Sequence, residues 1–307
     1  MDFSLLATQL LNGVQLGVLL FLLASGLTLI FGIMDFVNLA HGSFYMIGAF
    51  VCATLTFATG SFFLAIFLAI PITAVVGLVV ESTIISRLYQ RDHLDHVLAT
   101  FGFILIFDTL THMIWGPNGI AIPLPAYLDG RIAFTENLQL PTFRLLIVGT
   151  GLLVAFGLYF LVTHTKLGML IRAGASNRTM ATALGVNIKL LFTFVFALGA
   201  ALSGLAGMLV APITEASIGM GNEIIIAAFV VIIIGGIGSM KGAFVASMIV
   251  GLIDTMGRSY LDSLMKVFMS ENMAETAAPA VSAMLVYILM AAILAFRPQG
   301  LFPAASR

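Results

Sequence analysis

The stretch His164-Thr165-Lys166-Leu167-Gly168-Met169-Leu170-Ile171-Arg172-Ala173-Gly174-Ala175-Ser176-Asn177-Arg178-Thr179-Met180-Ala181-Thr182-Ala183-Leu184-Gly185-Val186-Asn187-Ile188-Lys189 lies between two long apolar runs. It carries Lys166, Arg172, Arg178 and Lys189 and no acid. Lys and Arg resist translocation through a bilayer, so a basic connector between two bilayer-length runs belongs on the cytoplasmic side. Met169, Leu170, Met180, Ala181, Ala183 and Leu184 supply an apolar stripe, while Arg172, Asn177, Arg178 and Thr182 stay polar. That pattern predicts short helices lying against a neighbour. The leading reading of 164–189 is a surface gripped by another protein.

Working outward, the chain is 61% hydrophobic and 9% charged over 307 residues, with a mean hydropathy of +1.13. A soluble domain would carry roughly a quarter of its residues charged. Apolar spans fall at 10–32, 39–57, 62–85, 97–115, 144–163, 190–211, 223–239, 242–257 and 278–296. Each approaches the roughly 20 residues that cross a bilayer as helix. The expectation is an all-α integral membrane protein of eight to nine transmembrane helices, one membrane domain over 1–307. The second, seventh and eighth spans are short, so each is a candidate half-helix or re-entrant segment. The first basic residue is Arg87, so the positively charged leader of a secretory peptide is missing and the first helix is expected to be retained. A net charge of −1 supplies no basic face for nucleic acid. The lone Cys52 excludes a disulfide framework and reads as a packing residue.

Alternating the spans from an outside N-terminus puts nine of the thirteen basic residues inside: Arg87, Arg91, the four of 164–189, Lys241, Arg297 and Arg307. Arg131, Arg144, Arg258 and Lys266 fall outside, in two longer connections that also hold Asp129, Glu136, Asp262, Glu271 and Glu275. The opposite orientation inverts the bias, so N-terminus out and C-terminus in follows. The outer connections are 116–143, stiffened by Pro117, Pro123, Pro125 and Pro141, and 258–277. They read equally as surfaces for an external partner and as plugs of the outer mouth. Small residues recur at four-residue spacing in Gly13 and Gly17, in Gly199, Ser203 and Gly207, and in Ala243, Ser247 and Gly251. In lipid this spacing lets helix backbones approach closely.

Residues that carry chemistry are few. The segment Gly235-Gly236-Ile237-Gly238-Ser239-Met240-Lys241-Gly242 resembles a phosphate loop only superficially, because Gly-Lys-Ser/Thr is absent. Its glycines suit a tight turn between helices, and the chain is not expected to hydrolyse ATP. Arg91-Asp92-His93-Leu94-Asp95-His96 offers two histidines without a third ligand, and no metal site is assigned. Asp108 and His112 stand four apart on one helix face. They read as a structural hydrogen bond or as a proton relay, since charge within hydrocarbon is normally paired or functional. Glu81 and Asp254 sit near span ends and are given no role. Asp35, Asn38 and His41 cluster between two apolar runs, bracketed by Gly32 and Gly42. A broken helix lining a path and a plain inner loop are both open there. Glu215, Gly219, Gly221, Asn222 and Glu223 form a similar polar break.

Gly32-Ile33, then Asn38-Leu39-Ala40-His41-Gly42 and Tyr45-Met46-Ile47-Gly48-Ala49, resembles the first-helix junction of LivH-like permeases, membrane subunits of branched-chain (hydrophobic) amino acid ABC importers. Segment 168–188 resembles that family's EAA-like cytoplasmic loop, with Ile171-Arg172-Ala173, Asn177, Ala181 and Leu184-Gly185-Val186 in register. Ala200 with Leu202-Ser203-Gly204-Leu205-Ala206-Gly207, the glycine turn at 235–243, and Arg297-Pro298-Gln299-Gly300-Leu301-Phe302 complete a resemblance over nearly the whole chain. The family's loop usually places an acid where Asn177-Arg178 stand here.

The resemblance implies a permease subunit in a bacterial inner membrane, moving solute by alternating access. Implied partners are two ATP-binding subunits that hold the ATP and Mg, a second LivM-like permease and a periplasmic solute-binding protein. This chain itself would carry no cofactor. Coupling to the ATPase would fall to Arg172, Asn177, Arg178, Ala181, Leu184 and Gly185. Asp35, Asn38, His41, Glu215 and Asn222 are the expected path residues. The alternatives are an ion-coupled secondary transporter, or an ABC permease for urea, amides or aromatic acids.

Overall fold

The computed structural model describes residues 3–135 and 138–303; Glu136 and Arg307 lie outside them. Eleven α-helices follow in order among the described residues: α1 (Phe3–Met34), α2 (His41–Thr59), α3 (Phe62–Thr83), α4 (His93–Trp115), α5 (Thr142–His164), α6 (Lys166–Ser176), α7 (Arg178–Ala183), α8 (Ile188–Thr214), α9 (Met220–Gly235), α10 (Met240–Met265) and α11 (Glu271–Phe296). Among the described residues eight of these are long and apolar enough to cross a membrane, and α9 is a shorter apolar helix. The chain is an all-α integral membrane protein, and it crosses several times. The end of the bundle that holds α6 and α7 is called inner here, after its basic residues.

Three helices form the centre. Within its most apolar window α1 is 83% buried, α8 72% and α2 67%, against 11% for α11 and 17% for α5. Helices that are apolar all round belong either in a core or in lipid. The same composition therefore serves both rings, and position decides which. The small-residue spacings lie at the tightest crossings: Gly13 and Gly17 of α1 meet Gly251 and Ser247 of α10 so closely that a methyl group at Gly251 would overlap the Gly17 backbone. In lipid, where hydrophobic attraction between helices is absent, such contact supplies the association energy.

Two expectations change. The eighth span is no half-helix: α10 runs 26 residues. The outer connection expected at 258–277 shrinks accordingly to 266–270, with Lys266 bridging Asp262 and Glu275, each at 3.0 Å. The charges in this segment sit at helical spacing and can ion-pair along a turn, so a polar run there continues a helix. The second span is likewise a full 19-residue helix. The other outer connection is a true loop and contains a small antiparallel hairpin, β1 (Arg131–Thr135) with β2 (Leu138–Pro141).

The seventh span is short, as its sequence suggests. At 16 residues, α9 extends about 24 Å, less than the roughly 30 Å hydrocarbon core. Non-helical chain at 215–219, ending in a turn at 218–219, covers the remainder. At its inner end Gly236 and Gly238 take φ of 101° and 80°, and this turn leads into α10. The terminal Leu301 and Phe302 amides donate to the Ile234 and Gly235 carbonyls at 2.8 and 3.0 Å. The C-terminal segment thereby supplies partners to orphan carbonyls at the end of α9.

Candidate functional site

The polar segment after α1 is not a surface loop. The chain turns at Asp35, whose φ is 54°, and returns toward the bilayer centre as non-helical backbone until α2 begins at His41. The Ser203 hydroxyl, near the middle of α8, donates to the His41 carbonyl at 2.8 Å. The His41 ring lies between Gly26 of α1 and Gly199 of α8. Gly26 stands eight residues before the end of α1, so His41 is about 12 Å inside the inner end of that helix. Non-helical backbone at that depth is tolerated only when enclosed by protein or lining a cavity. Phe36, Asn38, Ala40 and His41 are all buried, which is the broken-helix arrangement.

The polar segment after α8 mirrors it from the other side. Glu215 turns with φ 82° and ψ 154°. Ala216 pairs with Ile120 of the outer loop, and the chain descends to α9. The two breaks meet: a side chain at Gly42 would run into the Gly221 carbonyl, and one at Gly221 into the Gly42 carbonyl. Neither α2 nor α9 has a side-chain N-cap. Two helix N-termini, each with a partial positive charge although turn bonds from Ser43 to Ala40 and from Asn222 to Gly219 occupy some of their N–H groups, thus abut inside the bilayer.

The five expected path residues separate into three places. Asn38 and His41 are fully buried at the junction. Among the described residues neither the Oδ1 nor the Nδ2 of Asn38 has a hydrogen-bond partner, and the His41 ring faces the Leu23 carbonyl without a bond of ordinary geometry. Asn222 lies beside the junction and donates from Nδ2 to Asp108 Oδ2 at 2.9 Å. Asp35 lines a small inner cavity of about 170 Å³ that it shares with Arg178 and His96. Glu215 is exposed at the outer end, its carboxylate against Gly119. Asp108 therefore has a partner on α9, and His112 on its own helix face is exposed. A helix pattern alone counts neighbours four residues away and not the helix across the gap.

The inner segment does fold as two short helices. Thr165 accepts from the Gly168 amide at 3.1 Å and caps α6; Asn177 accepts from Met180 at 2.9 Å and caps α7. The buried face is Gly168, Ile171, Gly174 and Ala181, not the expected stripe: Met169, Met180 and Leu184 remain 55%, 58% and 78% exposed. Both faces of this hairpin are partly apolar, and only Ala181 of the expected stripe is turned fully inward.

Arg178 fastens the hairpin to the bundle. Its Nε donates to the Ile33 carbonyl at 2.9 Å, two residues before the Asp35 break, and its guanidinium lies 5.6 Å from the centre of the Phe192 ring on α8. Gly185, with φ 86°, meets open space. Of the six expected coupling residues, Asn177, Arg178, Ala181, Leu184 and Gly185 gather on α7 and its C-terminal turn. Arg172 stands apart, with an NH1 group donating to the Val162 carbonyl of α5.

Sequence reading missed Glu81. It is 2% exposed and accepts from the Tyr89 hydroxyl at 2.5 Å and the Thr193 hydroxyl at 2.7 Å. This ties the inner end of α3 to α8. An acid directly following the apolar run that ends at Val80 was the available signal. His96 is also structural: its Nε2 is 2.9 Å from the Leu88 carbonyl and its ring packs on Phe36 at 4.4 Å.

Comparison with known proteins agrees with this architecture. The family described as "Branched-chain amino acid transport system / permease component" matches residues 9–294. The chain is 30% identical over 263 residues to the high-affinity branched-chain amino acid transport system permease protein BraD of Pseudomonas aeruginosa, covering 81% of this chain and 85% of that one. It is 27% identical over 280 residues to LivH of Escherichia coli, a permease protein of the same kind, covering 85% and 89%. A probable LivH of Methanocaldococcus jannaschii is 31% identical over 255 residues, covering 80% and 79%. No solved structure matches the chain significantly.

Proposed function

This chain belongs to the family of permease components of branched-chain amino acid transport systems, and from that premise we propose how it works: as the membrane gate of an ATP-binding-cassette importer, powered through the α6–α7 hairpin. The importer has two ATP-binding subunits, which hold the ATP and Mg, and one of them docks on the exposed Met180, Leu184 and Gly185. A second permease of LivM type and a periplasmic solute-binding protein complete the assembly in the bacterial inner membrane, with the α6–α7 end cytoplasmic.

One observation carries this reading. The same short helix that leaves Leu184 and Gly185 uncovered is fastened through Arg178 to Ile33, immediately before the α1 break, and to Phe192 at the start of α8. A force on α7 therefore reaches both helices that end in the two breaks. Nucleotide state shifts the gate only because the ATPase contacts α7 differently in its two states. At the junction, solute passes beside Asn38, His41 and Asn222, with Asp35 and Glu215 at the inner and outer approaches. The paired helix N-termini favour the carboxylate of a passing amino acid.

The test is reconstitution of the complete importer with Gly185→Glu and, separately, Arg178→Ala. Gly185→Glu is expected to abolish ATP-driven uptake while the permease remains inserted, by placing charge and a side chain at a left-handed position on the docking face. Arg178→Ala is expected to leave ATPase docking intact and to uncouple hydrolysis from uptake by tenfold or more, on the scale of about 1.4 kcal/mol lost at a partly buried cation. Unchanged uptake in both variants overturns the assignment. Uptake by the chain alone under a proton gradient would favour the ion-coupled alternative.

A further inference from the structure

A groove of about 1710 Å³ opens beside the inner half of α1, between α5 on one side and α10 with the end of α11 on the other. Its interior is apolar: Phe21, Leu158, Phe244 and Leu294 line it, and Phe21 and Phe244 stack edge to face at 5.2 Å. Its mouth is cationic. Arg172 and Lys241 both line it, with the hydroxyl-bearing Ser176 and Ser239 beside them, and no acidic residue is among its lining residues. Lys241 is exposed and makes no hydrogen bond or ion pair among the described residues.

Two physical matches identify what fills this space. From Gly32 at the mouth to Phe21 at the far end is eleven residues of α1, about 16 Å, which is one leaflet of a roughly 30 Å hydrocarbon core. The charged end faces the inner surface, where anionic headgroups lie and where basic pockets between transmembrane helices hold them. A protein helix filling the groove would be expected to bring a carboxylate to Lys241 from outside the chain; a phospholipid brings its phosphate on the same molecule as the chains that cover Phe21 and Leu158.

We infer that this groove is a binding site for an anionic phospholipid of the inner leaflet, its phosphate between Lys241 and Arg172 and its acyl chains along α1. The lipid then touches α6, the first helix of the docking hairpin, and bridges α5 and α10 across the groove. The site depends on the inner assignment of this end but not on ATP coupling, so it stands or fails separately from the proposed function.

The experiment is native mass spectrometry of the full chain, with whatever subunits accompany it in mild detergent, titrated with dioleoyl phosphatidylglycerol or dioleoyl phosphatidylcholine. Phosphatidylglycerol is expected to be retained preferentially, and Lys241→Gln to lower its occupancy about fivefold, the loss expected for one basic residue near an anionic headgroup. Lys166→Gln, a cation of the same inner segment outside the groove lining, is expected to leave occupancy unchanged. Ala155→Trp is expected to lower retention by placing an indole in the path of an acyl chain beside Leu158. Equal retention of the two lipids, or equal effects of the Lys241 and Lys166 substitutions, overturns the site. So does cross-linking of a cysteine at Val245 to a second permease subunit in the assembled complex. If Ala155→Trp does not fold, the two lysine variants still decide the question.

Discussion

After α1 the chain turns at Asp35 and returns toward the centre to begin α2; after α8 it turns at Glu215 and descends to begin α9. These two breaks share one device in opposite directions, an acid with positive φ followed by a short non-helical stretch, 36–40 at one and 216–219 at the other, and then a glycine near the start of the next helix that touches its counterpart. They differ in where the energetic cost lies. At the inner break the cost is polar: Asn38 is buried with no partner among the described residues, a penalty of about 1–3 kcal/mol. At the outer break the cost is in the backbone. Glu215, at φ 82° and ψ 154°, occupies a region reserved almost wholly for glycine, also worth about 1–3 kcal/mol, while Asn222 is satisfied by Asp108. The comparison separates the two roles. The inner break keeps polar atoms available at the junction, and the outer break positions α9 so that it meets α2.

The largest effect is expected where the breaks touch. Gly42→Val or Gly221→Val forces a branched side chain into the opposing backbone, which cannot yield as a flexible side chain would. Overpacking of a yielding core already costs typically about 1–3 kcal/mol, so loss of a monodisperse permease on size-exclusion chromatography is expected. Gly102→Ala, at a helix position with open space around it, is expected to keep the native profile. If both junction variants fold like that control, the breaks do not meet as described.

A smaller and opposite effect is expected at Asn38. Leucine there removes the unpaired amide at similar volume, so thermal unfolding in detergent should indicate a gain of about 1–3 kcal/mol while uptake by the reconstituted importer falls. Lower stability in Asn38→Leu would mean that the amide is satisfied and the polar account of the inner break is wrong. The smallest effect is expected at the backbone turns. Glu215→Gly should stabilise by about 1 kcal/mol or more, and Asp35→Gly by less, because aspartate tolerates left-handed backbone. Equal gains at the two positions would erase the distinction between the breaks.

Much of the inner hairpin was legible in sequence. The polar–apolar alternation of 164–189 already called for short helices, and α6 and α7 are those helices. Which apolar residues turn inward was not legible. Met169, Met180 and Leu184 are apolar like Ile171, and periodicity reports which residues share a face without saying which face has a neighbour. The same limit explains Asp108, whose partner Asn222 is 114 positions away, and Glu81, whose donors come from a turn and a distant helix.

Hydropathy alone determined that this chain is a multi-helix membrane protein with eight or nine spans, because the cost of exposing peptide groups to lipid leaves apolar runs no other conformation. Only the tertiary structure decided that residues 35–41 lie inside the bundle. Their polarity leaves a loop and a broken helix equally open until Gly26 of α1, Gly199 and Ser203 of α8, and Gly221 of α9, from three separate places in the chain, close around them. Burial of a polar segment depends on partners that hydropathy, summed along one strand of sequence, does not contain.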